Sequence, residues 1–370
     1  LHSKGLSISC IFVSFYRFIS ALIMCFCFFF FKQKTAYEML RSLVGSEMCI
    51  RDRRKSMPKT LAVVAIGGNA VNKPKESATA ENMFRNLSVT AEYLMQMLKD
   101  EYELVITHGN GPQVGNILIQ QEAGKEKIPP FTIDLNDAQT QGSLGYAIAL
   151  TLRNALLQAN HPREICSVIT QIVVDPKDPA FQNPTKPIGP FYSEEEGKRI
   201  QEEKGWVFVE DTGRGWRRVV PSPIPLDIIE KKAIKQLVKA GIITIAAGGG
   251  GIPVNRLPDG SLQGVEAVID KDRASALLAL ELNADMFIIL TGVEKVYSDY
   301  GKPTQKAFDT LTVEEANRYL HGGQFPKGSM GPKIEAAIAY VSKTGKRCLI
   351  TAMETLGDAL KGKTGTWIVN

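Results

Sequence analysis

The sequence predicts an α/β fold built on a mainly parallel sheet with helices on both faces, and three observations carry that prediction. Runs such as Thr60 to Ile66 and Ile243 to Ala247 are apolar apart from one threonine each, as suits strands buried on two faces. Segments with helical spacing of apolar residues, beginning with Glu81 to Asp100, alternate with them. Strands also empty into glycine-rich turns at Gly67-Gly68-Asn69, His108-Gly109-Asn110-Gly111 and Gly248 to Gly251, at the carboxyl ends where such sheets bind ligands.

From Met57 the elements follow in order. The strand Thr60 to Ile66 and the helix Glu81 to Asp100 lead to a strand Glu103 to Thr107, which opens into a loop His108 to Gly115. Asn136 to Asn160 reads as a helix because Leu144, Ile148, Leu152 and Leu156 fall on one face, and Glu164 to Val174 reads as one strand. Between Asp175 and Pro225 the alternation breaks: Pro176, Pro179, Pro184, Pro187, Pro190, Pro221 and Pro223 surround a helical piece Ser193 to Lys204. This stretch is too long for an ordinary loop, and Trp206, Trp216 and the apolar Val207 to Val209 predict a small folded excursion or lid. Helix Ile228 to Ala240, the strand before the four glycines, helix Ala274 to Leu282 and strand Met286 to Leu290 resume the pattern. Leu311 to Leu320, a glycine-bearing loop Gly322 to Pro332, helix Lys333 to Lys343, strand Arg347 to Ile350 and a last strand Thr366 to Val369 complete it.

Residues 1–56 read differently. Ile8 to Phe31 carry one charge, Arg17, over a length that suits a membrane helix, so the literal reading is a signal anchor. Against it, the chain begins with Leu1, Phe28 to Phe31 is a homopolymer, and Lys32 to Met39 with Arg41 to Arg53 resembles translated adapter sequence. The expectation is that residues 1–56 are not native, that the protein begins at Met57, and that it is cytoplasmic and independent of membranes. Cys10, Cys25, Cys27 and Cys49 then drop out, and Cys166 and Cys348 offer no CxxC pair or zinc spacing, as befits a reducing compartment. Part of the formal charge of +5 lies at Arg51, Arg53, Arg54 and Lys55, ahead of Met57. Without a cluster of Lys and Arg among aromatics, nucleic acid is not an expected partner, whereas small anions are.

Four motifs bear on chemistry. Consecutive glycines at Gly248 to Gly251 can turn N–H groups toward one point and so suit phosphate, the plain alternative being a simple loop. Asp270-Lys271-Asp272 stands before a helix, where an acidic cap explains Asp272 but Lys271 opposes the helix dipole unless an anion compensates it. Lys333 follows Pro332 at another helix start and faces the same conflict. Lys186 lies on the excursion among prolines and could reach over the site. Together they predict a phosphoryl-transfer centre. Gly357 to Thr364 fits the P-loop pattern by letter, but no room for a helix follows it. Gly109, Gly111 and Gly115 miss the dinucleotide spacing, and His108 reads as structural.

The turns at Gly67, His108 and Gly248, with Val268 to Asp272, Asn183 to Tyr192 and Gly328 to Lys333, occur in an order that resembles the carbamate kinases, within the amino acid kinase family. The resemblance spans Met57 to Asn370 and implies a three-layer α/β/α sandwich, a protruding subdomain at about 175–225 and a homodimer. It implies reversible phosphoryl transfer between ATP and carbamate, giving ADP and carbamoyl phosphate, with Mg²⁺ accompanying the nucleotide and the reaction running toward ATP in arginine breakdown. On this reading Lys271 and Lys333 serve the transferring phosphoryl group and the nucleotide phosphates, Asp272 holds those two lysines, and Lys186 joins the catalytic set by reaching over the site. Gly67, Gly68 and Asn69 approach the phosphoryl group, and Gly109 and Asn110 lie beside carbamate. The nucleotide lies over Gly249, Gly250, Thr291, Gly292, Tyr297 and Met330, and no protein ligand to a metal is assigned. Competing readings are another amino acid kinase, acting on acetylglutamate, glutamate or a nucleoside monophosphate, and a membrane-anchored nucleotide-binding protein without turnover.

Overall fold

A computed structural model describes residues 59–370 apart from 74–75, 212–214 and 327. The expectations for residues 1–56, adapter-derived or membrane-anchoring, lie outside the described residues. No helix among the described residues is long and apolar enough to cross a membrane.

The main sheet has eight strands, in the spatial order Thr310–Thr312, Thr366–Val369, Arg347–Ala352, Met286–Thr291, Leu61–Ile66, Glu103–His108, Ile243–Ile245 and Ile165–Ser167. Neighbours run parallel except Arg347–Ala352 against Thr366–Val369. Side chains alternate across a strand, so the two faces of Leu61–Ile66 feed two cores. Val63 and Ala65 pack with Phe287, Ile289 and Ile350 under the helices Lys231–Lys239, Lys271–Glu281, Val313–His321 and Met330–Thr344. Ala62, Val64 and Ile66 pack with Leu104, Ile106 and Ile288 under the helices Ala80–Lys99, Ile133–Gln158 and Leu356–Leu360. The result is the three-layer α/β/α sandwich that was expected.

A four-stranded sheet (Leu262–Gly264, Ile252–Arg256, Gln171–Val173 and Asp227–Ile228) and a two-stranded one accompany it. Lys186–Tyr192, Gly215–Val220 and Val207–Asp211 form a three-stranded antiparallel sheet with helix Glu194–Lys204. That helix starts in a capping box, Ser193 with Glu196, and ends at Gly205 in the left-handed region. Trp206 lies between cations, with Lys204 Nζ 4.6 Å and the Arg218 guanidinium 3.7 Å from its ring centre.

Several elements differ from the sequence prediction: Ile228 belongs to the strand Asp227–Ile228, so the helix after it starts at Lys231, and the helix expected from Lys333 starts at Met330. Glu164 to Val174 is two strands in two sheets, because Thr170 turns the chain: Gln141 Nε2 donates to Thr170 O (3.1 Å), Thr170 N donates to Gln141 Oε1 (2.8 Å), and Ala247 N donates to Thr170 Oγ1 (2.9 Å). Thr170 O accepts from Ile252 N as well (2.9 Å), which starts the pairing of the next strand in the second sheet. The glycine loop after His108 is shorter than expected, since a helix Gly111–Gly124 begins within it with Pro112 in its first turn.

Candidate active site

Four adjacent parallel strands, ending at Ile66, His108, Thr291 and Ala352, open on one cavity of about 870 Å³. Parallel strands place all their carboxyl ends, and the turns after them, on one side. Gly67, Gly68, Gly109, Asn110, Thr291 and Gly292 line it, facing Lys186, Asp270, Lys271, Asp272 and Lys333.

The helix Lys271–Glu281 begins three residues before the predicted Ala274, and its cap is Asp270 rather than Asp272. Asp270 Oδ1 accepts from the N–H groups of Asp272 (2.9 Å) and Arg273 (3.4 Å). Asp272 is thereby released into the first turn. Ser275 Oγ donates to Lys271 O (2.6 Å) and lies 2.6 Å from Thr107 Oγ1, which ties the helix start to the strand Glu103–His108.

Asp272 accepts from Lys271 Nζ on Oδ1 and from Lys333 Nζ, 2.8 Å away, on Oδ2. Its side chain is 3% exposed, against 13% and 14% for the two lysines. Burial alone would raise its carboxyl pKa; Lys271 and Lys333 outweigh that, and it is held below the usual range. Burial depresses the Lys271 ammonium, Asp272 opposes the shift, and Lys333 adds to it by repulsion. Lys186, on the strand Lys186–Tyr192, donates to Asp270 Oδ2 at 2.8 Å. Burial pushes Asp270 up, but the Lys186 charge and hydrogen bond pull it well below the ordinary value. The centre therefore gathers three lysines around two ionised aspartates. A Cβ on Gly109 would stand 3.2 Å from Lys271 Cδ, so the missing side chain there gives the lysine its path.

The predicted nucleotide residues are divided. Thr291, Gly292, Tyr297 and Met330 line an adjoining hollow of about 230 Å³ with Tyr300 and Phe325, and Thr291, Gly292 and Ser329 line both hollows. Gly249 lines the larger one. Gly250 lies in neither lining: with φ of 102° it is buried against Ile269 O, where a Cβ would collide. Within the tetraglycine Gly250 N donates to Ala247 O and Gly251 N to Gly248 O, so these two N–H groups are spent inside the turn, while Gly249 borders the cavity. Asn69 lies in the short helical turn Gly68–Ala70 beside the cavity-lining Gly68.

Asn110 is buried, and its Nδ2 donates to Asp137 Oδ1 and Thr140 Oγ1, both at 2.9 Å. His108 is buried against Gly248, its Nδ1 3.1 Å from Gly109 O, and burial lowers its pKa to about 4. Lys363, in the rejected P-loop match, is exposed and pairs with Asp358 at 3.1 Å, and a strand follows it. Sequence reading missed Lys73 and Glu354, which line the cavity from loops without any motif, and Asp137, whose buried carboxyl group sits near the start of the helix Ile133–Gln158.

The sequence pattern of the amino acid kinase family matches residues 60–352. The chain belongs to the amino acid kinase family. Within this family it is 48% identical over 310 residues to the carbamate kinase of Thermococcus kodakarensis, covering 83% of this chain and 98% of the relative. It is 50% identical over 298 residues to carbamate kinase 1 of Enterococcus faecium, covering 80% and 94%. Among solved structures, the Giardia lamblia carbamate kinase bound to AMP-PNP superposes with a TM-score of 0.79 at 40% identity, covering 84% of this chain and 99% of that one.

Proposed function

We propose that this member of the amino acid kinase family is a carbamate kinase, exchanging a phosphoryl group between ATP and carbamate to give ADP and carbamoyl phosphate. The observation that carries the proposal is the pair Lys271 and Lys333, brought from two helices onto one buried aspartate beside the glycine turns. Carbamate is an anion at neutral pH, so its oxygen attacks phosphorus without losing a proton and no general base is required. What opposes the reaction is repulsion between anions, and positioned ammonium groups and backbone N–H donors offset it. In the reverse direction a β-phosphate oxygen of ADP attacks carbamoyl phosphate, the P–O bond to the carbamoyl group breaks, and carbamate leaves with the electron pair.

On this reading Lys271 and Lys333 contact the transferring phosphoryl group and Asp272 holds both. Lys186 reaches in from the three-stranded sheet, which would serve as a protruding subdomain over about 175–225. Gly67, Gly68 and Asn69 face the phosphoryl group, and the base lies in the smaller hollow between Tyr297 and Met330. Mg²⁺ is proposed to arrive with the nucleotide as part of that substrate: Asp272 accepts lysine N–H groups on both oxygens, and Asp270 accepts Lys186 on one and backbone N–H groups on the other. Phosphate oxygens would therefore supply its ligands.

A cytoplasmic homodimer working toward ATP in arginine breakdown completes the proposal. Supporting the dimer, Ile119, Leu135 and Tyr146 on the helices Gly111–Gly124 and Ile133–Gln158, and Ile128 and Phe131 between them, are exposed. The test is a coupled assay for ATP from ADP and carbamoyl phosphate, with N-acetylglutamyl phosphate and a nucleoside diphosphate as alternative donors. ATP formation from carbamoyl phosphate is expected, and preference for either alternative donor would move the chain to another branch of the family.

A further inference from the structure

We propose that Asn110 selects the carbamoyl group by presenting its side-chain oxygen Oδ1 to the substrate's amino group, and that Asp137 and Thr140 are positioning residues that hold the amide that way round. The inference rests on the carbamate kinase reading and adds a specificity-determining residue to it.

The orientation follows from the hydrogen-bond network. Thr140 Oγ1 donates its only hydrogen to Asp137 O, 2.8 Å away in its own helix, and so toward Asn110 it can only accept. The Asn110 atom 2.9 Å from it must then be the nitrogen. Asp137 Oδ1, also 2.9 Å from that nitrogen, takes the second amide hydrogen. Both N–H groups are spent on the helix Ile133–Gln158, behind the cavity. Oδ1 is left, and it has no protein partner among the described residues, while Asn110 lines the cavity next to Gly109, against which Lys271 packs. Gly249 seals the amide from above, because a Cβ there would overlap the Asn110 side chain. A flip of the amide would set its oxygen against Thr140 Oγ1, which has no hydrogen left to donate.

An oxygen fixed in this way is an acceptor with no donor to offer. Carbamate and carbamoyl phosphate carry an NH₂ on the reacting carbon and can satisfy it. Acetate and acetyl phosphate have the same frame with a methyl group in that place, and binding them would leave Oδ1 stripped of water and unpaired. A site built to hydrogen-bond a substrate N–H rejects the analogue that lacks it far more strongly than an apolar pocket rejects a change of size.

The test measures ATP formation by the full chain at saturating ADP, with carbamoyl phosphate and with acetyl phosphate, the latter read both as substrate and as competitor. Asn110→Ala is expected to reduce the carbamoyl-over-acetyl ratio of kcat/KM by roughly a hundredfold. Thr140→Val, which keeps the shape and removes one acceptor, is expected to reduce it by roughly tenfold. Asp137→Ala should behave like Thr140→Val, whereas Asp137→Asn, which retains an oxygen to accept from Asn110, should keep most of the ratio. Equal losses on the two substrates, leaving the ratio unchanged in Asn110→Ala and Thr140→Val, would show that the network only braces the loop and would overturn the inference. Circular dichroism identifies any variant that fails to fold, and Thr140→Val, isosteric with the natural residue, then decides. A natural chain that makes no ATP from carbamoyl phosphate would overturn the functional reading itself, and this inference with it.

Discussion

Lys271 and Lys333 share a single buried counter-ion, and three consequences follow at the level of residues. Lys271→Ala should lower turnover at least about a hundredfold, the usual effect of removing one donor that meets charge developing in the transition state. Arg at this position should rescue little, since a planar fork does not occupy the space of an ammonium. In a double-mutant cycle Lys271→Ala and Lys333→Ala should fall short of additivity, because both act on one phosphoryl group. Folded single variants that keep more than a tenth of the natural rate would remove both lysines from the chemistry.

Lys271 also sets a pH limit. Its ammonium is depressed by burial and by Lys333, and the proposed mechanism requires it charged. Turnover is therefore present below its folded pKa and lost as pH rises through it, at a lower pH than an exposed lysine would give. Lys333→Ala removes the like charge and should move this alkaline limb upward in a pH–rate profile. His108 acts on stability instead. Held neutral by burial, with a pKa of about 4 against 6.5 in the unfolded chain, it contributes stability that is complete above pH 6.5 and declines as pH falls toward 4. Replacing it by Gln should flatten that decline in denaturant titrations. The lysines were legible in the sequence because each defies the dipole at a helix start. Asp137 was not, since nothing in its neighbourhood distinguishes a buried carboxylate from an ordinary helix surface acid.

Among the elements, the two lysine-bearing helices are fastened together a second time. Arg273, two residues beyond Lys271, donates through Nε (3.1 Å) and Nη2 (2.6 Å) to Oε2 of Glu335, two residues beyond Lys333. The pair is partly exposed, so its worth lies in register more than in stability. Glu335→Arg should lower turnover by roughly tenfold through misplacement of Lys333, and the exchange Arg273→Glu with Glu335→Arg should recover most of it. A full rate in the single variant, with melting temperature unchanged, would mean that Asp272 alone sets the register. Apolar periodicity revealed the long helices and the central strands, whose pattern is set by burial and not by which strand lies alongside. It did not reveal the turn at Thr170 or the true start at Lys271, because Gln141, Ala247 and Asp270 decide these through a few local hydrogen bonds that leave no periodic trace.

For the molecule as a whole, every strand of the main sheet lies between Leu61 and Val369. A chain beginning at Met57 is therefore expected to fold and to turn over at the rate of the full sequence, as judged by circular dichroism and the ATP assay. Loss of folding on this truncation would give residues 1–56 a structural part. The alternation of strands and helices was enough to read the sandwich, whereas the four-stranded and two-stranded sheets, made of strands of two to five residues, carry too short a pattern to be seen.

The order of strands has a further consequence, for the way the protein is made. Of the strands in the main sheet Leu61–Ile66 is made earliest, yet it belongs in the middle of the sheet, and the N–H of Leu61 bonds to Asp285 Oδ2, 224 residues later in the chain. Until Met286–Thr291 has been synthesised, one edge of an entirely apolar strand has no native neighbour. Contacts of such long range close slowly, and unpaired apolar edges are what aggregating chains pair with. Nascent chains arrested before Asp285 should accordingly depend on chaperones, and refolding from denaturant should give yields that fall as protein concentration rises.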